Sequence, residues 1–185
     1  MLEDLNLDNT EDKDHPDELT EYEWAWLCTT VPSPYDCQYC RHYKDIYGDG
    51  NRTYYDKILN SLGIDRSRCF LCNSIPDVQK EYLCSSLFVC TSRFEGFGMG
   101  IIEAMACGLP VVAFDCLWGP RSIITNGEDG LLVENGNVER MADTLMGLMH
   151  NPVKISSMGR NARKNVLRFN IDTIAEKWKN LFESL

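Results

Sequence analysis

Two kinds of hydrophobic pattern alternate along the middle of the chain, between residues 45 and 133: continuous apolar runs and helical spacing. A strand covered on both faces of a sheet needs no polar alternation, and four continuous apolar runs have this character: 69–72, 86–91, 109–114 and 130–133. Helical spacing occurs beside these runs, over 52–61, 77–83, the run that ends at Gly108, and 119–124. This alternation predicts an α/β fold, with a Rossmann-like parallel sheet and helices on both faces.

The C-terminal part of the chain is helical in pattern. Val138–Met149 and Val153–Leu167 carry apolar residues at helical spacing, with Pro152 breaking the pattern between them. Segment 169–185 is predicted to be an amphipathic helix with the apolar stripe Ile171, Ile174, Ala175, Trp178, Leu181, Phe182 and Leu185. Such a stripe is typical of a face that packs on a core.

The first 44 residues differ from the rest in composition. Residues 1–24 contain ten acidic residues and one lysine, so they carry most of the net charge of −10. We interpret 1–24 as an acidic disordered tail, with a docking segment as the alternative. The pattern allows a helix to begin within Glu21–Thr30, but two prolines make Val31–Tyr43 irregular, and 25–44 is assigned as a linker or remnant segment.

Charge and hydropathy exclude several classes of function. Beyond the acidic tail, acidic and basic residues nearly balance, so no basic field exists to hold nucleic acid. No apolar run approaches the roughly 20 residues of a transmembrane helix. The first residues are acidic, unlike a secretory signal, and we therefore expect a cytoplasmic protein.

The nine cysteines include two C-x-x-C pairs, Cys37/Cys40 and Cys69/Cys72. Four thiolates in this format can hold zinc, but the 28-residue spacer between the pairs exceeds the usual length of about 15–20 residues. We therefore expect no zinc. We expect four other cysteines to be small residues of the core: Cys84, Cys90, Cys107 and Cys116.

Segment 92–110, SRFEGFGMGIIEAMACGLP, contains the candidate functional site. Its glycines let the backbone approach a ligand, and the first helical N–H groups have no partner within the helix, so a strand, a glycine turn and a helix start form an anion site. Glu95 and Glu103 would repel a bare phosphate and are better suited to accept hydrogen bonds from hydroxyls. Phosphate together with hydroxyls indicates a nucleotide or a nucleotide sugar. The alternative is that the glycines only allow tight strand–helix packing.

Several motifs match a known family in order and spacing. EGFGMGIIEAMACGLPVV resembles the signature of family 4 glycosyltransferases, retaining enzymes of the two-domain GT-B architecture. The resemblance extends to bacterial members that make surface polysaccharides, through IYGDG, PDVQKEYLCSSLFVCTSRFEGFG, AFDCLWGPRSII, NGEDGLLVENGN and the spacing of Phe169, Trp178 and Phe182. It covers roughly Asp45 to the end of the chain, with 45–168 as a donor-binding domain.

The resemblance implies roles for individual residues. Glu95 would be catalytic and face the hydroxyls of the donor sugar, and the sugar and diphosphate would also meet Gly96, Phe97, Gly98, Met99 and Gly100. Glu103 would accept hydrogen bonds from the ribose, and the nucleobase would lie beside Asn73, Ser74 and Ile75. The implied reaction transfers a hexosyl group from a nucleotide diphosphate sugar to a glycan or lipid-linked acceptor. It retains the anomeric configuration and needs no metal or other cofactor.

The chain also departs from the family pattern. The acceptor-binding N-terminal domain is not found, nor is the first donor-domain strand, whose Arg and Lys grip the diphosphate. We therefore expect the nucleotide-sugar-binding half of a glycosyltransferase. It would need an acceptor domain on another chain, or would self-associate through Trp178 and Phe182. The alternatives are a non-catalytic nucleotide-sugar-binding or interaction domain, and a hydrolase that uses Glu95 and Glu103.

Overall fold

The described strands form one six-stranded sheet. A computed structural model describes residues 52–67, 69–73 and 75–185, together with the backbone of 26–29 and 45–47. The strands are β1 (Trp26–Thr29), β2 (Asp45–Tyr47), β3 (Phe70–Cys72), β4 (Leu87–Cys90), β5 (Val111–Asp115) and β6 (Gly130–Glu134). Their order is β3-β2-β1-β4-β5-β6, which is that of a doubly wound sheet.

Strand β1 runs antiparallel to both of its neighbours, and its Leu27 pairs with Ile46 on one side and Val89 on the other. The remaining strands all point the same way, because the β2–β3, β4–β5 and β5–β6 pairs are parallel. The expected parallel sheet is thus confirmed outside β1. The helix allowed over Glu21–Thr30 is wrong at 26–29, where aromatic and β-branched residues favour a strand, so the segment assigned as an irregular linker contains part of the sheet.

The helices follow the predicted order. They are α1 (Arg52–Ser61), α2 (Gln79–Cys84), α3 (Met99–Ala106), α4 (Pro120–Ile123), α5 (Val138–Met149), α6 (Pro152–Asn165) and α7 (Ile171–Glu183), with a 3-10 turn at Val166–Phe169 before α7. Pro152 lies in the first turn of α6, where its missing N–H has no intrahelical partner to lose. Asparagine side chains cap the starts of the last three helices, at positions 137, 151 and 170.

Two apolar layers cover the central strands. One face of β4 and β5 packs on α3 and α4, through Phe88, Val111, Ile101, Met105 and Ile123. The opposite face packs on α5 and α6, through Val89, Val112, Met141, Leu148 and Met158. Successive residues of a strand point to opposite faces, which explains why Val111 and Val112 belong to different layers. Both faces of β4 are covered, so the loop after it starts from a rigid support.

The cysteines divide between the core and the surface. Cys90 and Cys116 are buried as expected, whereas Cys107 is half-buried. Cys84, at the last turn of α2, is exposed, so its assignment to the core is wrong. Of the two C-x-x-C pairs, Cys69 is buried just before β3 and Cys72 is half-buried as the last residue of β3. Cys37 and Cys40 lie outside the described residues.

Helix α7 forms as predicted but does not bury its apolar stripe within the described part of the chain. Trp178 is 56% exposed and Phe182 is 65% exposed, and their rings stack with centroids 5.8 Å apart. The helix contacts the 3-10 turn that precedes it. Among the described helices, none combines the length and apolar character that a membrane crossing requires.

Candidate functional site

The candidate site lies where the chain leaves β4 and enters α3. Gly98 adopts φ 94° and ψ 50° at the helix start, a left-handed conformation that favours glycine. A Cβ at this position would also lie 3.2 Å from Ile101 Cδ1 and 3.3 Å from Ile123 Cδ1. The Gly98 carbonyl accepts a 3.0 Å hydrogen bond from the Ile101 amide. The amides of Met99 and Gly100 therefore belong to the first turn, where α-helical N–H groups have no intrahelical acceptor.

The two glutamates of the motif flank this helix start. Glu95 is half-buried in the loop before Gly98. Glu103 is exposed and shares the outer face of α3 with Met99, which is 57% exposed. Its position five residues after Gly98 places it about 7.5 Å further along the helix axis. Both carboxylates are thus close enough to the helix start to contact one extended ligand.

A second loop, between β5 and α4, packs directly against the first. Gly119 has φ +79°, and a Cβ built on it would lie 2.8 Å from Glu95 Cβ and 2.8 Å from the Phe97 carbonyl oxygen. The Ser122 hydroxyl donates a 2.7 Å hydrogen bond to the Gly119 carbonyl. Glycine is therefore required at 119 both by its conformation and by its contact with the loop between β4 and α3, residues 91–98, which we call the site loop.

An ion pair holds the same second loop. Arg121 donates from Nε and Nη2 to the two carboxylate oxygens of Asp115, at 2.8 and 2.9 Å. The Arg121 hydrogen bonds hold the pKa of Asp115 below its ordinary value. Two parallel hydrogen bonds fix the guanidinium orientation, so the loop is tied to the end of β5 on one side and to Glu95 on the other.

Two buried thiols lie beneath Glu95. The Cys90 Sγ donates a hydrogen bond to Glu95 Oε1 at a separation of 3.7 Å. Burial raises the pKa of Cys90 to about 11, against the opposing effect of hydrogen bonds with Ser92, and the Glu95 charge raises it further. Burial also raises the pKa of Cys116, again with a contribution from Glu95. Both thiols therefore remain protonated at neutral pH, and Cys90 acts as a donor.

Aromatic contacts connect the site loop to the C-terminal part of the chain. The Phe97 ring meets the Phe169 ring edge-on, with centroids 5.8 Å apart. The Arg168 guanidinium lies 4.6 Å from the centre of the Phe169 ring, and Arg168 Nη2 donates to the Ile123 carbonyl. The site loop, α4 and the turn before α7 therefore form one packed unit.

The residues predicted to border the nucleobase lie at the same edge of the sheet as the start of α3, but several strands away from it. Asn73 and Ile75 follow β3, and both are exposed; Ser74 lies outside the described residues. β3 is three strands from β4 in the sheet order, which corresponds to about 14 Å at the usual strand spacing. Asn73 Oδ1 accepts a 3.3 Å hydrogen bond from Arg52 Nη1. The structure thus brings Glu95, Gly98–Gly100 and Glu103 together, and sets Asn73 apart along the same edge.

Sequence reasoning missed three residues that contact the predicted ones. The apolar pattern predicts only a core position for Cys90, which ends β4 five positions before Glu95 and contacts it. The pattern predicts a short helix over 119–124, and only the order Gly119-Pro120 signals a turn there. The pattern predicts Arg52 only as the start of a helix, and its contact with Asn73 depends on the β2–β3 pairing.

The fold and this edge define a class of protein: a doubly wound α/β domain whose ligand site lies beyond the carboxyl ends of its strands. Residues 45–165 match the family described as glycosyl transferases group 1. The chain belongs to this family.

Relatives of known name are consistent with this assignment. The chain is 38% identical over 141 residues to the poly(ribitol-phosphate) alpha-N-acetylglucosaminyltransferase of Staphylococcus aureus, covering 75% of this chain and 28% of that protein. It superposes on the crystal structure of TarM with a TM-score of 0.69 and 37% identity, covering 75% of this chain and 28% of TarM. It also superposes on Anabaena HepE in complex with UDP-glucose, with a TM-score of 0.66 and 25% identity over 76% of this chain and 40% of HepE.

The match concerns one part of these larger proteins. The chain spans 28% of the Staphylococcus aureus transferase and 40% of HepE. The activity of a whole transferase, its acceptor and its partners are therefore proposals for this chain.

Proposed function

We propose that the chain is the nucleotide-sugar-binding part of a retaining, family 4 glycosyltransferase. It holds a nucleotide diphosphate hexose for transfer to a glycan or lipid-linked acceptor. The observation that carries the proposal is the uncapped start of α3 at Gly98, flanked by Glu95 and Glu103 at the carboxyl edge of the sheet. HepE, a structural neighbour, is in complex with UDP-glucose, which supports a uridine nucleotide sugar as the first donor to test.

Each group has a defined task in this proposal. The first-turn amides of α3 and its dipole stabilise the diphosphate, which becomes the leaving group. Glu103 accepts hydrogen bonds from the ribose hydroxyls, and Glu95 accepts them from the sugar hydroxyls and is the catalytic residue. Asn73 and Ile75 border the nucleobase, and Arg52 supplies a cation at that end. Transfer proceeds with retention of the anomeric configuration.

We propose that this chemistry needs no resident metal ion. The leaving diphosphate has a helix start available to it, and partial positive charge from aligned peptide dipoles concentrates there. The proposal predicts that donor binding by the purified chain is the same in EDTA and in magnesium. A strict requirement for a divalent cation would contradict it.

Transfer also needs an acceptor-binding surface. We propose that an acceptor-binding domain outside residues 45–185 packs over the exposed rings of Trp178 and Phe182. Their exposure within the described part of the chain supports this, because a contiguous apolar patch usually marks a contact surface. Self-association through the same face is the alternative partner.

The ribose role can be tested by calorimetry with UDP. Glu103→Ala is expected to weaken UDP binding by about ten- to a hundredfold, because hydrogen bonds to a charged carboxylate contribute roughly 1.5–3 kcal/mol. Helix α3 stays folded, since the Glu103 side chain is exposed. Glu139→Ala, which removes an exposed glutamate from the first turn of α5, is the matched control. An unchanged dissociation constant for Glu103→Ala would refute the ribose role.

A non-catalytic nucleotide-sugar-binding domain is the second candidate function. Both candidates bind the donor, but only the first transfers sugar when an acceptor-binding domain is added. Donor binding that never leads to turnover, with any supplied acceptor domain, would favour the second candidate.

A further inference from the structure

A buried thiol makes a direct contact with the carboxylate that the proposed function places against the donor sugar. Cys90 is the last residue of β4 and is 1% exposed, so its position is set by the packing of the sheet. Its Sγ lies 3.7 Å from Glu95 Oε1 in donor geometry. The Cys90 thiol, which donates the hydrogen bond, is therefore held by the rigid strand. The Glu95 carboxylate, which accepts it, belongs to the loop that follows the strand.

The Glu95 side chain is also confined at its base. The backbone of Gly119 lies close to Glu95 Cβ, which prevents the base of the side chain from moving toward the β5–α4 loop. A carboxylate has two oxygens and about four lone-pair directions. One oxygen directed at the Cys90 thiol leaves the other free for a ligand hydroxyl.

We propose that Cys90 is a positioning residue for Glu95: its thiol holds one carboxylate oxygen so that the other faces the sugar of a bound nucleotide sugar. This inference rests on the proposed function, because it assigns the thiol a purpose only if Glu95 contacts the donor sugar. Cys90 itself does not touch the ligand. Its effect is therefore specific to the sugar part of the donor and does not extend to the nucleotide.

The experiment compares the binding of a nucleotide with that of its sugar ester. Dissociation constants are measured by calorimetry for UDP, ADP and GDP, and for UDP-glucose, ADP-glucose and GDP-mannose, with the full chain. The ratio between the nucleotide and its sugar ester isolates the contribution of the sugar. A role in packing alone would change both constants equally.

Four variants separate the possible causes. Cys90→Ala removes the hydrogen-bonding thiol, and Cys90→Ser replaces it with a hydroxyl that can donate at the same position. Glu95→Ala removes the carboxylate itself. Cys107→Ala deletes a half-buried thiol at the end of α3 and serves as the matched control. Cys90→Val fills the space without a donor and replaces Cys90→Ala if the alanine variant does not fold.

The expected result is specific. Cys90→Ala weakens binding of the sugar ester by about three- to tenfold, the range for one uncharged donor, and leaves binding of the nucleotide unchanged. Cys90→Ser restores the sugar contribution, and Cys107→Ala leaves both constants unchanged.

Two results would overturn the inference while leaving the proposed function intact. In the first, Glu95→Ala loses the sugar contribution but Cys90→Ala keeps it. In the second, Cys90→Ala weakens nucleotide and sugar ester equally, which would make the thiol a packing residue. If the unmodified chain binds none of the six ligands, the proposed function fails and this inference fails with it.

Discussion

Gly119 lies so close to Glu95 that a Cβ atom at position 119 would be 2.8 Å from the glutamate Cβ. The two residues belong to different loops, one after β4 and one after β5. Those strands are paired, with Cys90 opposite Ala113, so the loops leave the sheet side by side. The β5–α4 loop therefore supports the back of the site loop, and the space for this contact exists only because residue 119 has no side chain.

Gly119→Ala is expected to weaken both folding and donor binding. The new methyl group would meet Glu95 Cβ and the Phe97 carbonyl, and the backbone would keep a positive φ of 79° that alanine disfavours. Overpacking and backbone strain together predict a loss of about 2–4 kcal/mol in the free energy of unfolding. Urea denaturation measures this loss. Calorimetry with UDP-glucose measures how far donor binding is weakened when the new methyl group displaces Glu95.

Gly136→Ala is the control for that variant. Gly136 has a nearly identical φ of +80°, but a Cβ there would have no atom within 4 Å. It is expected to cost about 1 kcal/mol from strain alone and to leave donor binding unchanged. Equal losses of stability in the two variants would show that the contact with Glu95 does not matter.

Thiol reactivity is predicted to differ sharply between Cys90 and Cys84. Burial raises the pKa of Cys90 to about 11, so roughly one thiol in a thousand is ionised at pH 8, and the thiolate is the reactive form. Cys84 is exposed. Iodoacetamide at pH 8 followed by peptide mass spectrometry should label Cys84 quickly and leave Cys90 unlabelled in the folded chain. Rapid labelling of Cys90 would contradict its burial.

The raised pKa of Cys90 also predicts how stability changes with pH. Because the folded state holds this proton more tightly than the unfolded state, the stabilisation is complete below about pH 9 and is lost as the pH rises toward 11. Cys90→Ser removes the ionisable group and should flatten the decline between pH 9 and 11. Urea midpoints measured across this range test the prediction, which fails if both proteins decline alike.

The local part of the site was predictable from the sequence. A strand, a glycine turn and a helix start are consecutive, so Glu95 and Gly98–Gly100 are brought together by chain connectivity alone. The contacts of Glu95 with Cys90 and Gly119 were not predictable. The first requires the direction in which a loop side chain turns, and the second requires the pairing of β4 with β5.

The fold shows the same limit. The hydrophobic pattern was sufficient for the strands that are covered on both faces, since it depends on burial. It was not sufficient for β1 at Trp26–Thr29, because a short strand takes its place and direction from the free edges of its neighbours β2 and β4. The pattern of α7 correctly predicted an amphipathic helix, but periodicity alone does not specify which surface covers it.

Asp129 is predicted to be a major stabilising residue although it is a polar residue in the interior. It is fully buried, accepts from the Thr125 amide at 2.8 Å and accepts from Asn165 Nδ2 at 3.0 Å. Asp129→Ala would leave these two donors without their acceptor in the protein interior, at a cost of about 2–4 kcal/mol in the free energy of unfolding. The exposed Asp143 of α5 gives the matched control, since Asp143→Ala should cost less than about 0.5 kcal/mol. Equal midpoints in urea would refute the assignment.

The exposed rings of α7 are predicted to contribute to association with another protein surface and little to stability. Trp178 and Phe182 stack on each other, yet each is more than half exposed, so replacing them removes few contacts within the described part of the chain. Trp178→Ser combined with Phe182→Ser should therefore leave the melting temperature nearly unchanged while reducing association. Sedimentation velocity, with the chain alone and with a supplied acceptor-binding domain, measures that association. Lys179→Ser, which changes an exposed polar residue on the same helix, controls for the loss of a long side chain. A large fall in melting temperature, with association unaltered, would mean that this face packs on its own domain.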